Sequence, residues 1–331
     1  MSATFFAERE RGDEGIFSPH RTDFNTDKKE VKSLHKYLRA VGFSKIETPK
    51  QMHDLVMDVI QSADRRNYTS NSEHTMLAEF SKDFADRIGI TVCGEFDEKD
   101  EFSYEYSFPY FRGDGISTEE DISVERHAEK ESYAGVCNDM RIGVSLIFYL
   151  QNMMDYAKIK YGNRLPVRGT SLTLSALSTS GKILLPIRKN EADMAKIEKE
   201  TTNRNKLIAQ ARQGDEEAIE TLTLEDMDTY NAISKKIRKE DILSLVDTYF
   251  MPYGVECDQY SVLGEILECS STKNKITGEE LCIMALSCND LVFDLCINKK
   301  DLYGEPLPGR RFKGTIWMQG IINFPEAYGV S

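Results

Sequence analysis

"ISVERHAEKESYAG" (residues 122–135) sets Glu125, His127, Glu129 and Glu131 at every second position. Side chains alternate between faces along a strand, so a strand here puts all four on one side and Ile122, Val124 and Ala128 on the other. The reading decides the fold, because a strand at this point makes the segment that begins at Ile90 a sheet and not a continuation of the helices before it. The neighbouring "EFSYEYSFPYF" (101–111) also alternates, Phe102, Tyr104, Tyr106 and Phe108 against Ser103, Glu105 and Ser107. "RGDGIS" (112–117) then reads as the turn between two partner strands.

Downstream, "VSLIFYL" (144–150) is too apolar for a wet face and reads as a central strand, with a buried helix as the alternative that periodicity alone leaves open. "TSLTLSALSTSGKILLPI" (170–187) reads as a hairpin turning at Ser180 and Gly181. Upstream, Val31, Leu34, Tyr37, Leu38 and Val41 recur at three and four with Gly42 as a stop, which predicts a short helix. "ETPKQMHDLVMDVI" (47–60) predicts a second, capped by Thr48, with Pro49 at its first position, Gln51 completing the capping box, and an apolar stripe of Met52, Leu55, Val56, Val59 and Ile60. Ser70 with Glu73, then Met76, Leu77, Phe80, Phe84 and Ile88 before Gly89, predict a third.

"NEADMAKIEKETTNRNKLIAQARQG" (190–214) is charged with sparse apolar positions, and capped starts at Gly214–Asp215 and Thr223–Asp226 continue a helical connector. Five apolar segments between Asp241 and Pro325, separated by turn residues, fit a small barrel or sandwich. The expected fold class is α+β: an N-terminal helical layer on an antiparallel sheet, a charged helical connector, and a C-terminal OB-like barrel or sandwich. The expected division is a flexible arm at 1–29, an α+β domain at 30–189, the connector at 190–240 and the barrel-like domain at 241–327.

Fifty-five acids against 42 bases give a formal charge of −13, which disfavours free docking on nucleic acid or an anionic lipid surface. The acidity is concentrated: residues 95–131 hold 13 acids and four bases. Such a block attracts a cation or a basic partner, or is simply solvated. Seven cysteines without a C-x-x-C pair read as reduced, mostly buried thiols, and no segment reaches the roughly 20 apolar residues of a membrane span, so a cytosolic protein is expected.

Two places carry ligand chemistry. Same-face residues of a strand lie about 6.6 Å apart, within reach of one divalent ion, so Glu125, His127, Glu129 and Glu131 are candidate metal ligands or an acid and base, with Glu105 or Asp139 as a further ligand. The competing reading is a wet strand face. In "GRRFKGTIW" (309–317), Arg310, Arg311, Lys313 and the single Trp317 have the mixture that holds phosphates and stacks bases. Against that, Phe312 and Trp317 fill a barrel and the arginines pair with Glu256, Asp258 or Glu265. "STSGKI" (178–183) lacks the upstream glycine and the Ser/Thr of a phosphate loop, and Cys137 has acidic neighbours that oppose a thiolate.

At "HKYLRAVGFSKIETPK", "VERHAEKESYAGVCND", "IGVSLIFYLQN", "YFMPYGVECDQYSVLGEI" and "CINKKDLYGEPLPGRRFKGTIWMQG" the chain resembles a domain-of-unknown-function family of cytosolic proteins from anaerobic Gram-positive bacteria. The resemblance covers about residues 33–327, and the arm before Lys32 departs from it. It implies one co-operating unit with a terminal β-module, and no activity, cofactor or site residue. The expected function is a cytosolic binding or scaffold protein taking a protein partner or small ligand. The alternatives are a metal-assisted hydrolase using the 125–131 row, and nucleotide or single-stranded nucleic-acid binding by the C-terminal barrel.

Overall fold

The computed structural model describes residues 35–70, 75–126, 132–139, 141–142, 144–165, 167–187, 203, 206–211, 214–222, 224, 246–254, 258–325 and 328. The arm expected at 1–29, Val31, Leu34 and the start at Thr223–Asp226 lie outside them. Lys36–Val41 form a 3-10 helix, with Tyr37, Leu38, Ala40 and Val41 buried, and it ends at Gly42 with φ 91°, a left-handed backbone that suits glycine. Helix α1 (Pro49–Gln61) begins as its sequence dictates: Thr48 Oγ1 accepts from the Gln51 N–H while Gln51 Oε1 accepts from the Thr48 N–H. Its stripe, Met52, Leu55, Val56, Val59 and Ile60, is buried.

The third helix expected after Ser70 is instead a pair of strands. β1 (Arg65–Ser70), β2 (Met76–Ala85), β3 (Ile88–Phe96) and β4 (Phe102–Phe111) form an antiparallel four-stranded sheet in chain order. Met76, Phe80, Phe84 and Ile88 are spaced by four, an interval that returns to one side in a helix and in a strand alike. The residues between them decide the matter, because Leu77, Glu79 and Ser81 are buried as well and β2 is covered on both faces. The helical layer is therefore reduced to α1 and the 3-10 turn.

α1 covers one face of this sheet, where Lys82 Nζ reaches Asp58 Oδ2 at 2.8 Å. A register shift at Cys93/Gly94 inserts Glu105 as an extra residue in β4, which puts Phe102 and Tyr104 opposite Phe96 and Gly94, and Tyr106, Phe108 and Tyr110 opposite Cys93, Thr91 and Gly89. The aromatic row expected on one side of β4 is thus divided between two faces.

Nor does the 122–135 stretch return along β4. β5 (Ile122–Arg126) pairs antiparallel with β6 (Tyr133–Cys137), Arg126 opposite Tyr133, so two strands of one hairpin replace the single strand expected. β6 pairs with β7 (Leu146–Leu150), and β7 runs parallel to the far end of β14 (Arg311–Asn323), a central strand as expected. Helix α2 (Met153–Tyr161) follows β7 directly.

The expected hairpin at Ser180–Gly181 is a single strand, β8 (Ser171–Leu184), running straight through both residues. A Cβ on Gly181 would lie 2.2 Å from the Phe312 ring, so the glycine is the seat of an aromatic side chain on the paired strand β14. β9 (Tyr249–Pro252) lies on the edge of β10 (Gln259–Lys273), and β13 (Leu302–Tyr303) on that of β8. With β11 (Glu280–Cys288) and β12 (Leu291–Asn298), the order β8-β12-β11-β10-β14 closes through the β8–β14 pairing into a five-stranded barrel. One barrel strand therefore comes from residues before the connector. Leu174, Val262, Met284, Leu295, Phe312 and Met318 belong to its core, together with the buried thiols of Cys282 and Cys288. The connector is helical at 206–211 and 216–222, where Asp215 Oδ1 accepts from the Glu217 and Ala218 N–H groups.

Candidate functional site

The acidic region contributes Glu119 and Glu120 to a cleft of about 640 Å³ lined also by Ile116, Ser117, Thr118, Asp139 and Arg141. The loop is pinned to β8: Ser117 N–H donates to the Leu172 carbonyl, Leu172 N–H to that of Thr118, and Leu174 N–H to Ser117 Oγ. Its one lining cation is already used. Arg141 donates to both oxygens of the buried Asp139 and to the carbonyls of Ser117 and Asp290. Burial alone would push the Asp139 carboxyl up, yet the Arg141 bonds hold it below the usual carboxylate range. Glu119 and Glu120 remain exposed at the rim, and Asp121 and Glu125 continue the charge onto β5, the last strand of its sheet.

Of the proposed metal row, Glu125 is exposed while Ile122 and Val124 pack on the core, as the alternation required. His127, Glu129 and Glu131 lie outside the described residues. Among the described residues no three His, Cys, Asp or Glu side chains are grouped to hold a metal ion. Cys137 is buried, and its thiol is pushed up to about 12 by burial and then by Asp139, so it is not activated.

The four residues expected to hold a nucleotide are not brought together on an open surface. Trp317 is 5% exposed; its ring stacks on Tyr37 at 5.2 Å, has His35 and Tyr149 beside it, and its Nε1–H donates to Asp258 Oδ2 at 2.7 Å. Arg311 is equally buried and donates to the Leu185 and Val246 carbonyls, while Arg310 reaches the Glu305 carbonyl. Lys313 is half-buried. A base-stacking platform needs a free ring face, and here the 3-10 helix already covers it. The correction to the barrel reading is that Phe312 fills the interior whereas Trp317 packs outside it.

A second polar site lies inside. The face of the four-stranded sheet turned away from α1 carries Arg65 and Asn67 from β1, Glu79, Ser81 and Asp83 from β2, Thr91 and Cys93 from β3, and Tyr106 and Tyr110 from β4. Arg65 grips both oxygens of Asp83, Tyr110 donates to the same carboxylate, and Ser81 and Thr91 bond at 2.8 Å. Burial pushes Asp83 up, but the Arg65 and Tyr110 bonds leave it below its ordinary value. Glu79 has no such partner. It is 6% exposed, Asn67 Nδ2 approaches its Oε1 at 3.4 Å, and its Oε2 has no hydrogen-bond partner. Burial, with Asp155 of α2 adding to it, raises this carboxyl to about 7. Burial also raises Asp155 and, strongly, the Cys93 thiol and the Tyr106 and Tyr149 hydroxyls around it.

A family model described as "Domain of unknown function, E. rectale Gene description (DUF3881)" matches residues 38–320, from the 3-10 helix to β14. The chain belongs to that family. No curated protein and no solved structure matches it. The DUF3881 match takes in both sheets, the acidic cleft and the inner polar face, so both sites lie inside the family's own region.

In this DUF3881 chain the inner face is what pattern reading misses. Asn67, Glu79 and Cys93 stand on three strands, and Glu79 sits within a stretch whose apolar spacing reads as helix. The one signal available was the acid flanked by apolar residues in "MLAEF".

Proposed function

We propose that the protein is a cytosolic binding module that receives a basic partner on its acidic cleft. The observation that carries this reading is the exhausted cation: Arg141 is committed to Asp139 and two carbonyls, so the exposed Glu119 and Glu120 meet no free positive charge among the lining residues. Exposed Ile116 adds an apolar contact beside them. A cleft with one sign of charge concentrates the opposite one and accelerates its capture. No helix among the described residues is long and apolar enough to cross a membrane.

The test is titration of the protein with a fluorescent lysine-rich peptide at low and moderate salt. Parent protein should bind with an affinity that falls with salt, and the charge reversals Glu119→Lys and Glu120→Lys together should weaken it at least tenfold. Equal affinity in parent and variant sinks the reading.

The barrel supports the same choice over nucleic-acid binding. Counted from β10, its pairing order is that of an OB barrel whose final strand is supplied by β8. OB barrels take oligonucleotides on an outer strand face, and here the 3-10 helix packs against β12 and β8.

A further inference from the structure

The inner face of the four-stranded sheet holds a carboxyl that nothing in the binding reading uses. Glu79 is buried on the sheet face turned away from α1, where α2 packs against β1, with one oxygen bare and the other offered a single long bond from a neutral amide. A buried carboxylate needs donors or a cation to hold its charge, and without them it keeps its proton. The titratable and charged groups that act on it come from five directions: Arg65 of β1, Cys93 of β3, Tyr106 of β4 with Arg112 just beyond that strand, Tyr149 of β7, and Asp155 of α2. Arg65 is spent on Asp83 and Tyr110, and Arg112 lies over the Tyr110 ring. Both cations favour the charged form, but burial outweighs them. Asp155 brings a second carboxyl from α2, bonded to Asn152 Nδ2 at 3.3 Å, with Lys158 and Arg112 favouring its charged form against burial.

We propose that α2 is a proton-operated latch, seated on the four-stranded sheet while Glu79 is protonated and released when Glu79 ionises. In the seated state the neutral carboxyl is tolerated with one oxygen bare. After ionisation the charge has only the long Asn67 bond and faces Asp155, and it gains water when α2 moves away. Release would also uncover Met153, which with Leu77, Cys93 and Tyr106 encloses a small gap at the edge of this contact.

Hydrogen exchange of residues 153–161, corrected for intrinsic rate and compared between pH 6 and pH 8.5, tests the latch. With the buried carboxyl at about 7 and the opened one taken at its ordinary 4.5, the open state becomes about tenfold more populated across that interval. The isosteric Glu79→Gln, which keeps the Asn67 contact and cannot ionise, should show equal protection at both values. Asp155→Asn should reduce the change without abolishing it. A Glu79 carboxyl ¹³C resonance that titrates near 4.5, or the same pH response in Glu79→Gln, overturns the proposal.

Discussion

The carbonyls of Leu185 and Val246 accept hydrogen bonds from one guanidinium, that of Arg311, at 3.1 Å and 2.8 Å, although the whole connector lies between them in sequence. The chain leaves the barrel and re-enters it at a single point. Replacing residues 188–245 by a short Gly/Ser link should therefore leave the barrel folded, read as cooperative melting and unchanged Trp317 emission. In the full chain, Arg311→Met strands both carbonyls and should cost about 2–4 kcal/mol by denaturant unfolding. A loss below about 0.5 kcal/mol would show that the pin is idle.

Phe148 of β7 lies between two glycines on flanking strands. A Cβ on Gly135 would meet its ring at 2.0 Å and one on Gly320 at 2.5 Å. Gly135→Ala should destabilise by about 1–3 kcal/mol through overpacking, and Phe148→Leu in the same chain should recover part of that loss. A double-mutant cycle with no coupling would contradict the close approach.

Asp139 gives an acid dependence whose sign is fixed by its lowered value. A carboxyl held below its unfolded value stabilises the fold above that value, and the contribution is lost as pH falls through the folded one. Melting of the parent should drop below about pH 4 more steeply than that of Asp139→Asn. At neutral pH the variant should be about 1–3 kcal/mol less stable, since Arg141 loses a charged acceptor but keeps its two carbonyls and some solvent. Parallel pH profiles would assign the acid loss elsewhere.

Trp317, the sole tryptophan, should emit at short wavelength and resist quenching by mononucleotides and oligonucleotides at low salt. Tyr37→Ala removes the ring stacked on it and should shift emission to the red. Strong quenching of the parent by an oligonucleotide would restore the C-terminal nucleic-acid reading.

Glu279 joins the N-terminal segment to the barrel. Its carboxylate accepts from Ser44 Oγ at 2.5 Å and Asn298 Nδ2 at 2.6 Å, and Asn274 Nδ2 donates to the Val41 carbonyl alongside. Glu279→Ala leaves these donors unmatched and should lower stability by about 2–4 kcal/mol. An unchanged melting temperature would mean the two parts are held by apolar contact alone.

Local chemistry alone settled several elements. Thr48, Pro49 and Gln51 define the start of α1 because a capping box is satisfied within four residues. Gly42 ends the 3-10 helix by its own backbone freedom, and Asp215 caps its helix through its own side chain. The apolar segments that became β10, β11, β12 and β14 were legible because those barrel strands have a packed inner side. The concentration of acids over residues 95–131 is likewise plain from composition, and two of them, Glu119 and Glu120, line the cleft.

Tertiary contact decided the rest. A spacing of four fits both helix and strand, so only the burial of Leu77, Glu79 and Ser81 on the second face made β2 a strand. Ser180–Gly181 has the chemistry of a turn, yet the Phe312 ring laid across Gly181 keeps β8 extended. Glu125 was legible as exposed, but the reversal between Arg126 and Tyr133 is fixed by pairing between strands. Glu79 owes its raised proton affinity to burial beneath distant segments and to Asp155 of α2, none adjacent in sequence. A rule satisfied within one turn of chain can be read along the chain, whereas desolvation and pairing depend on which distant segments arrive beside a residue.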